Sequence, residues 1–349
     1  MSKKSSNQKN IDKPTANDVK CWDSNGSTKV VTQRLKEMFV EMGQKTRIEN
    51  GQKPAERAVF RKQHGIAYGN FVIKEDIPKE FKVGIFAGDS YECAMRFSSD
   101  TTPTSSDLHS TLGVGLKLFG VKGRNLFGEG DTADFIFQNI DRFFARDAQQ
   151  MCEVTTAGVI DQDYDAYLNK HPEVGRILAA MAKEEGSCLG TDYWAILPFD
   201  LGKSQIVKYR LVPEEGTPKG APFDDPNYLR LDLERRLRNG PAKFRFEIQV
   251  RTNDKTMPLD DAQVVWSTKE SPYICIAEVH IPQQDVTAIG QANFGSNLSF
   301  NIWRTLTAHK PLGSIAEVRK TVYEASANAR HQANGQQLQE PKQRCPFFQ

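Results

Sequence analysis

From residue 62 onward, apolar and polar positions alternate in a series of short segments, broken by Gly, Pro, Asp and Ser. AYGNFVIK (67–74), KVGIFA (82–87), CAMRFSS (93–99), GVGLKLFGV (113–121) and ADFIFQNI (133–140) each read as a strand. SQIVKYRLVP (204–213), KFRFEIQVRT (243–252) and YICIAEVHIP (273–282) add three more. Helical spacing replaces alternation in 29–50, 146–158, 172–185 and 227–240. Eight short strands without βαβ alternation predict an α+β chain built on a closed antiparallel barrel, not a doubly wound sheet. The interior of such a barrel holds side chains or one ligand.

The last periodic stretch, SIAEVRKTVYEASANAR (314–330), predicts a helix. Ser314 and Glu317 have capping-box spacing, and Gly335 suits the stop. Arg319, Tyr323 and Arg330 share one helical face. Two guanidiniums and a phenol on one face suit an anion or an ionised phenol; a solvated surface helix is the plainer alternative.

Composition narrows the class. The chain has 349 residues, with 46 Lys+Arg against 44 Asp+Glu, so its charge does not point to nucleic acid or an anionic membrane. No apolar run approaches the roughly 20 residues of a membrane span. The N-terminal stretch lacks the apolar core of a secretory signal, and residues 1–28 read as a disordered tail. The six cysteines have no metal-ligand spacing, so reduced thiols in a cytoplasmic protein are expected, with Cys93 and Cys275 buried in strands. The expected division is a tail to residue 28, one domain over 29–331, and a C-terminal tail over 332–349. Monomer, dimer or larger homo-oligomer stays open. Dinucleotide, P-loop and serine-hydrolase signatures are absent.

Candidate chemistry lies at the strand ends. Arg61 and His64 form R-x-x-H; the histidine could be a base, a ligand or a structural residue. Arg96 and Ser98 end a strand, and an inward Arg96 would need a buried anion. Gln138 and Asn139 offer amides, and Phe143–Phe144 is an aromatic pair.

Taken in order, Arg61–His64, MRFSS (95–99), DFIFQNIDRFFARD (134–147) and RKTVY (319–323) resemble the haem catalases. The resemblance runs over roughly 55–331 and includes 228–250; the ending, 300–330, is similar to that of the small catalase-related haem proteins, among them peroxidases and allene oxide synthases.

The resemblance implies a catalase-like eight-stranded barrel with added helices and a haem b cofactor. Tyr323 would be the axial iron ligand, with Arg319 one turn back to stabilise its phenolate. Arg61, Arg96 and Arg330 would hold the propionates, and Phe143 and Phe144 would pack at the haem. His64 would be the distal proton shuttle, oriented by Ser98, with Gln138 or Asn139 as the distal amide. Gln63 before the histidine, Gln138 where catalases have asparagine, and HSTLG (109–113) in place of a charged stretch depart from the pattern. The implied activity is consumption of hydrogen peroxide or an organic hydroperoxide with a small organic electron donor, dismutation being weak. Rearrangement of a fatty-acid hydroperoxide, and haem binding or sensing without turnover, are the alternatives.

Overall fold

The computed structural model describes residues 21, 27–215, 217 and 225–342. The N-terminal helix α1 (Thr28–Lys36) runs into a π-helical stretch (Glu37–Lys45) and a last turn, α2 (Thr46–Glu49). Strands β1 (Lys62–Ile73), β2 (Ser90–Ser99), β3 (Leu112–Phe119) and β4 (Thr132–Gln138) form an antiparallel meander. Helices α3 (Ala148–Thr156), α4 (Tyr164–Lys170) and α5 (Pro172–Met181) come after it. Next are β5 (Tyr193–Trp194), β6 (Phe199–Leu201), β7 (Gln205–Pro213), helix α6 (Tyr228–Asn239), β8 (Ala242–Val250) and β9 (Tyr273–Ile281). Helices α7 (Gln291–Asn297) and α8 (Ser314–Ala333) complete the chain.

The sheet order is β5-β4-β3-β2-β1-β9-β8-β7-β6, and β5 also pairs with β7. That pairing closes an eight-stranded antiparallel barrel, with β6 following β5 along the same edge of β7. The expected barrel is therefore present, but one of its strands differs. Residues 82–87 are not a strand: Gly84–Ala87 is a 3-10 turn, entered at Gly84 with φ 56°. It buries Phe86, whose ring centroid is 5.8 Å from that of Phe246. The strand taking its place is β5, whose two residues are too short to show a period.

Aromatic side chains fill the barrel. Phe71 and Phe246 stand 5.0 Å apart between centroids, Phe135 and Phe246 5.1 Å, Phe135 and Tyr209 5.2 Å. Edge-on rings at these separations are favourable. The interior is packed core, so a ligand must lie outside the barrel wall.

The other expected helices form, with α3 continuing as a π-turn to Asp161. Among the described residues no helix is long and apolar enough to cross a membrane. Most of the expected N-terminal tail, residues 1–20 and 22–26, lies outside the described residues, as does 343–349. Cys21 is placed, buried and disulfide-bonded to Cys152, so the expectation of reduced thiols fails for this pair. Cys93 is buried in β2, Cys188 is a free, buried thiol, and Cys275 is free but only half-buried.

Candidate functional site

Helix α8 is fixed at both ends. Ser314 is its first residue, not its cap: the Ser314 backbone N–H and Oγ both donate to Asp260 Oδ1 at 2.7 Å, and Ser314 Oγ accepts from Ala148 N at 3.0 Å. Glu317 accepts from Thr28 Oγ1 at 2.9 Å. The capping box is thus replaced by Asp260, and both of its residues instead tie α8 to neighbouring elements. At the other end Gly335, with φ 66°, donates to Gln332 O while Gln336 N donates to His331 O. These two bonds make a Schellman stop at the expected glycine.

A cavity of about 300 Å³ lies between α8 and the outer face of β2–β4. Arg319, Tyr323 and Arg330 line it together from α8, as their spacing predicted. The barrel face supplies Arg96, Ser98 and Gln138, and Phe143 and Phe144 flank them, their centroids 4.2 Å apart. Leu35 and Phe39, from α1 and its π-helical continuation, form a third wall. The lining is mainly apolar, with a few convergent polar groups, as small-molecule sites are.

Two arginines from this set and one more gather in the cavity wall. Arg96 donates to Gln63 Oε1 at 3.0 Å and to Phe60 O at 3.2 Å. Arg330 donates to the carbonyls of Ser296 and, at 3.1 Å, Leu298. Arg57 donates to Gly295 O at 3.2 Å and also reaches Leu298 O. Among the described residues none of the three has a carboxylate partner. Burial lowers Arg96 to about 9, with the charge of Arg330 adding to the effect. Burial lowers Arg330 to about 10. Arg57 is lowered well below the usual guanidinium value by burial, then by Arg330 and Arg96. Three buried guanidiniums gathered without a carboxylate in a desolvated wall suit an anion.

Arg319 sits over two rings, its Cζ 5.3 Å from the centroid of Phe143 and 6.0 Å from that of Tyr323. It stands one turn before the phenol, as expected. Asp100 is the one carboxylate among the lining residues; burial raises it, and its Oδ1 accepts from Thr111 N at 3.0 Å.

Other expected residues are elsewhere. His64 does not line the cavity. The β1–β2 register slips between Gln63 and Gly65, which makes His64 the extra residue of a bulge. Its side chain is buried beside Lys62 and Asp107, Nδ1 lying 3.7 Å from Asp107 Oδ1. Burial, then the charges of Lys62 and Arg96, lower it to about 3, so it is neutral at ordinary pH. Arg61 also faces away and pairs with Glu56 at 2.7 Å. Ser98 donates to Gly113 O at 3.3 Å and does not orient His64. Of the two amides, Gln138 faces the cavity, its Nε2 held by Arg142 O at 2.9 Å. Asn139 is fully buried in the fold, accepting from Leu112 N at 2.9 Å.

Arg57 and Phe60 line the cavity, whereas Arg61 and His64 do not. They repeat the R-x-x-spacing four residues earlier, in Arg57-Ala58-Val59-Phe60, but end on a phenyl ring. Phe60 has φ 52°, a strained setting for an aromatic residue. Its ring lies against Gly113, and Phe300 packs in the same way on Gly115.

These residues suit a haem. The cavity offers an apolar slot, a phenol beside a fixed cation, and three guanidiniums without carboxylates, one of which leaves its Nε without a partner. A planar apolar ring with two carboxylates fits that donor set. Among the described residues no group of three His, Cys, Asp or Glu side chains could hold a bare metal ion.

No protein-family model matches the sequence, and no curated protein matches it. Solved structures do. A fungal catalase aligns with a TM-score of 0.63 at 15% identity, covering 82% of this chain and 61% of its own. A bacterial catalase gives 0.64 at 18%, covering 87% and 65%. Catalase A of Saccharomyces cerevisiae gives 0.62 at 14%, covering 82% and 63%. The chain spans less than two thirds of the length of each. At these identities the likeness establishes a catalase-like fold.

Proposed function

We propose that this protein binds haem b between α8 and the barrel and consumes an organic hydroperoxide, with little dismutation of hydrogen peroxide. The observation that carries the haem reading is the convergence of Arg57, Arg96 and Arg330, without carboxylate partners, beside the phenol of Tyr323. The three arginines would hold the two propionates by charge-assisted bonds. Tyr323 would bind the iron, and Arg319 would stabilise its phenolate. Bound haem supplies a ferric centre at which an O–O bond can be held and cleaved.

The residues on the barrel face limit the chemistry at that centre. A general base must reach the proton that it removes, and His64 is buried away from the cavity. Phe60 presents a phenyl ring to the cavity, and the Gln138 amide nitrogen is committed to Arg142 O. Hydrogen peroxide would therefore meet no imidazole, whereas an organic hydroperoxide would bury its own apolar part against Phe60, Phe39 and Val59. A small organic donor would supply the electrons; a fatty-acid hydroperoxide that rearranges would need none.

A second reading, haem holding or sensing without turnover, is favoured by the lining itself, which presents the Phe60 ring and no imidazole. The test is consumption of cumene hydroperoxide, a fatty-acid hydroperoxide and hydrogen peroxide by the haem-loaded protein, with and without a phenolic donor. The proposal expects the organic hydroperoxides to be consumed about tenfold faster or more. An intact haem spectrum with no consumption of any of them would overturn it in favour of the second reading.

A further inference from the structure

Two cysteines far apart in the chain meet at the edge of the cavity's helical wall. Cys21 and Cys152 are joined across 131 residues, with Cα atoms 5.6 Å apart. Both are buried, Cys21 6% exposed and Cys152 0%. Cys152 is next to Met151, a cavity-lining residue of α3. Cys21 lies shortly before α1, whose Leu35 lines the cavity, as does Phe39 in the π-helical stretch.

The bond thus joins Cys21, which shares one apolar cluster with Val31 and Leu35 of α1, to α3. Helices α1 and α3 both pack on α8: Val31, Leu35 and Met38 share one apolar cluster with Cys152, Val318 and Val322. Arg319 and Tyr323 stand on that same helix. At the start of α1, Thr28 also donates an exposed hydrogen bond to Glu317 of α8. The wall continues as π-helix over Glu37–Lys45, a backbone register that is less favourable than α and that recurs at functional sites.

We propose that the Cys21–Cys152 pair is a redox latch on the α1 wall. As a disulfide it pins the wall against α3 and α8; as two thiols it lets the wall loosen, so that a ligand held on α8 exchanges faster. The identity of that ligand as haem rests on the function proposed above; the movement of the wall does not. A hydroperoxide closes the latch: two thiols and ROOH give the disulfide, ROH and water, the sulfurs losing two electrons to the O–O bond. A small dithiol opens it by exchange and is itself left as a disulfide.

The test compares the full haem-loaded chain with and without dithiothreitol. One readout is tryptic cleavage at Lys29, Arg34 and Lys36 of α1, followed by mass spectrometry. The other is haem transfer to excess apomyoglobin. Reduction should speed both about fivefold or more. Cys152→Ser and Cys21→Ser should be fast in either condition, and Cys275→Ser should behave as wild type. Rates unchanged by reduction, faster cleavage with unchanged haem transfer, or free thiols at both positions in the air-oxidised protein would each overturn the latch. If the protein takes up no haem, the haem reading fails and cleavage alone decides: faster on reduction supports the latch, unchanged overturns it.

Discussion

The ring of Phe60 lies so close over Gly113 that a Cβ there would meet its Cδ1 and Cε1 at 2.6 Å. This contact defines the barrel face of the cavity. Gly113 leaves room for the ring, and Arg96 holds the Phe60 carbonyl at 3.2 Å. Replacing Phe60 with histidine puts an imidazole where the proposed chemistry lacks a base. Phe60→His should raise turnover of hydrogen peroxide by roughly 10²-fold, the ordinary gain from a positioned acid–base group. Oxygen release from the haem-loaded variant checks this. Gly113→Ala should displace the ring and cost about 1–3 kcal/mol of stability, read by denaturant unfolding.

His64 should matter for acid stability rather than for the cavity. Burial lowers it to about 3, below an unfolded value near 6.5. The unfolded chain then binds the extra proton between these values, so stability is full above pH 6.5 and falls as pH drops through the window. The slope is about 1.4 kcal/mol per pH unit for this residue. His309 and His331, each lowered to about 4 chiefly by burial, act in the same direction. His64→Gln should flatten the melting-temperature profile between pH 6.5 and 4.5 and leave the haem spectrum unchanged.

The arginine assignment separates two neighbours. Arg57 lines the cavity, whereas Arg61 pairs with Glu56 outside it. Arg57→Met should weaken haem binding by about 10- to 100-fold, the worth of charge-assisted bonds. Arg61→Met should leave it within about twofold, since partly exposed ion pairs contribute little. Haem titration of the two apoproteins decides between them.

A buried charge cluster holds the C-terminal segment. Lys117 contacts Asp134 at 2.6 Å and Glu340 at 2.7 Å, and Arg304 contacts the same two acids at 2.9 and 3.0 Å. Glu340 also accepts from Ser299, beside the cavity-lining Phe300. Glu340→Gln leaves a buried cation uncompensated and should cost about 3 kcal/mol. Lys117→Met together with Glu340→Gln should recover part of that loss, because charge balance returns. Chemical denaturation of the single and double variants measures both.

How much of this was legible in the sequence depended on periodicity. The barrel strands alternate, and α8 carries its functional residues at helical spacing, so both the fold and the Arg319–Tyr323–Arg330 face could be read directly. Two-residue β5 has no period to read, and the apolar run at 82–87 fits a buried turn as well as a strand. The barrel face departs from its sequence pattern for a different reason. A bulge adds one residue and turns the side chains beyond it, and nothing in R-x-x-H spacing reveals it. Arg57 and Phe60 carry the same spacing but lack the histidine that marks Arg61 and His64. The Cys21–Cys152 pair, 131 residues apart, has no local signature at all.

The central claim is that Tyr323 binds haem iron with Arg319 beside it. The most direct measurement is haem titration of the apoprotein, followed by resonance Raman spectroscopy of the ferric complex, for wild type and Tyr323→Phe. The wild type should bind one haem and show an iron–phenolate vibration; Tyr323→Phe should lose that vibration and bind haem at least about tenfold more weakly. An unaltered spectrum and affinity in Tyr323→Phe would contradict the account.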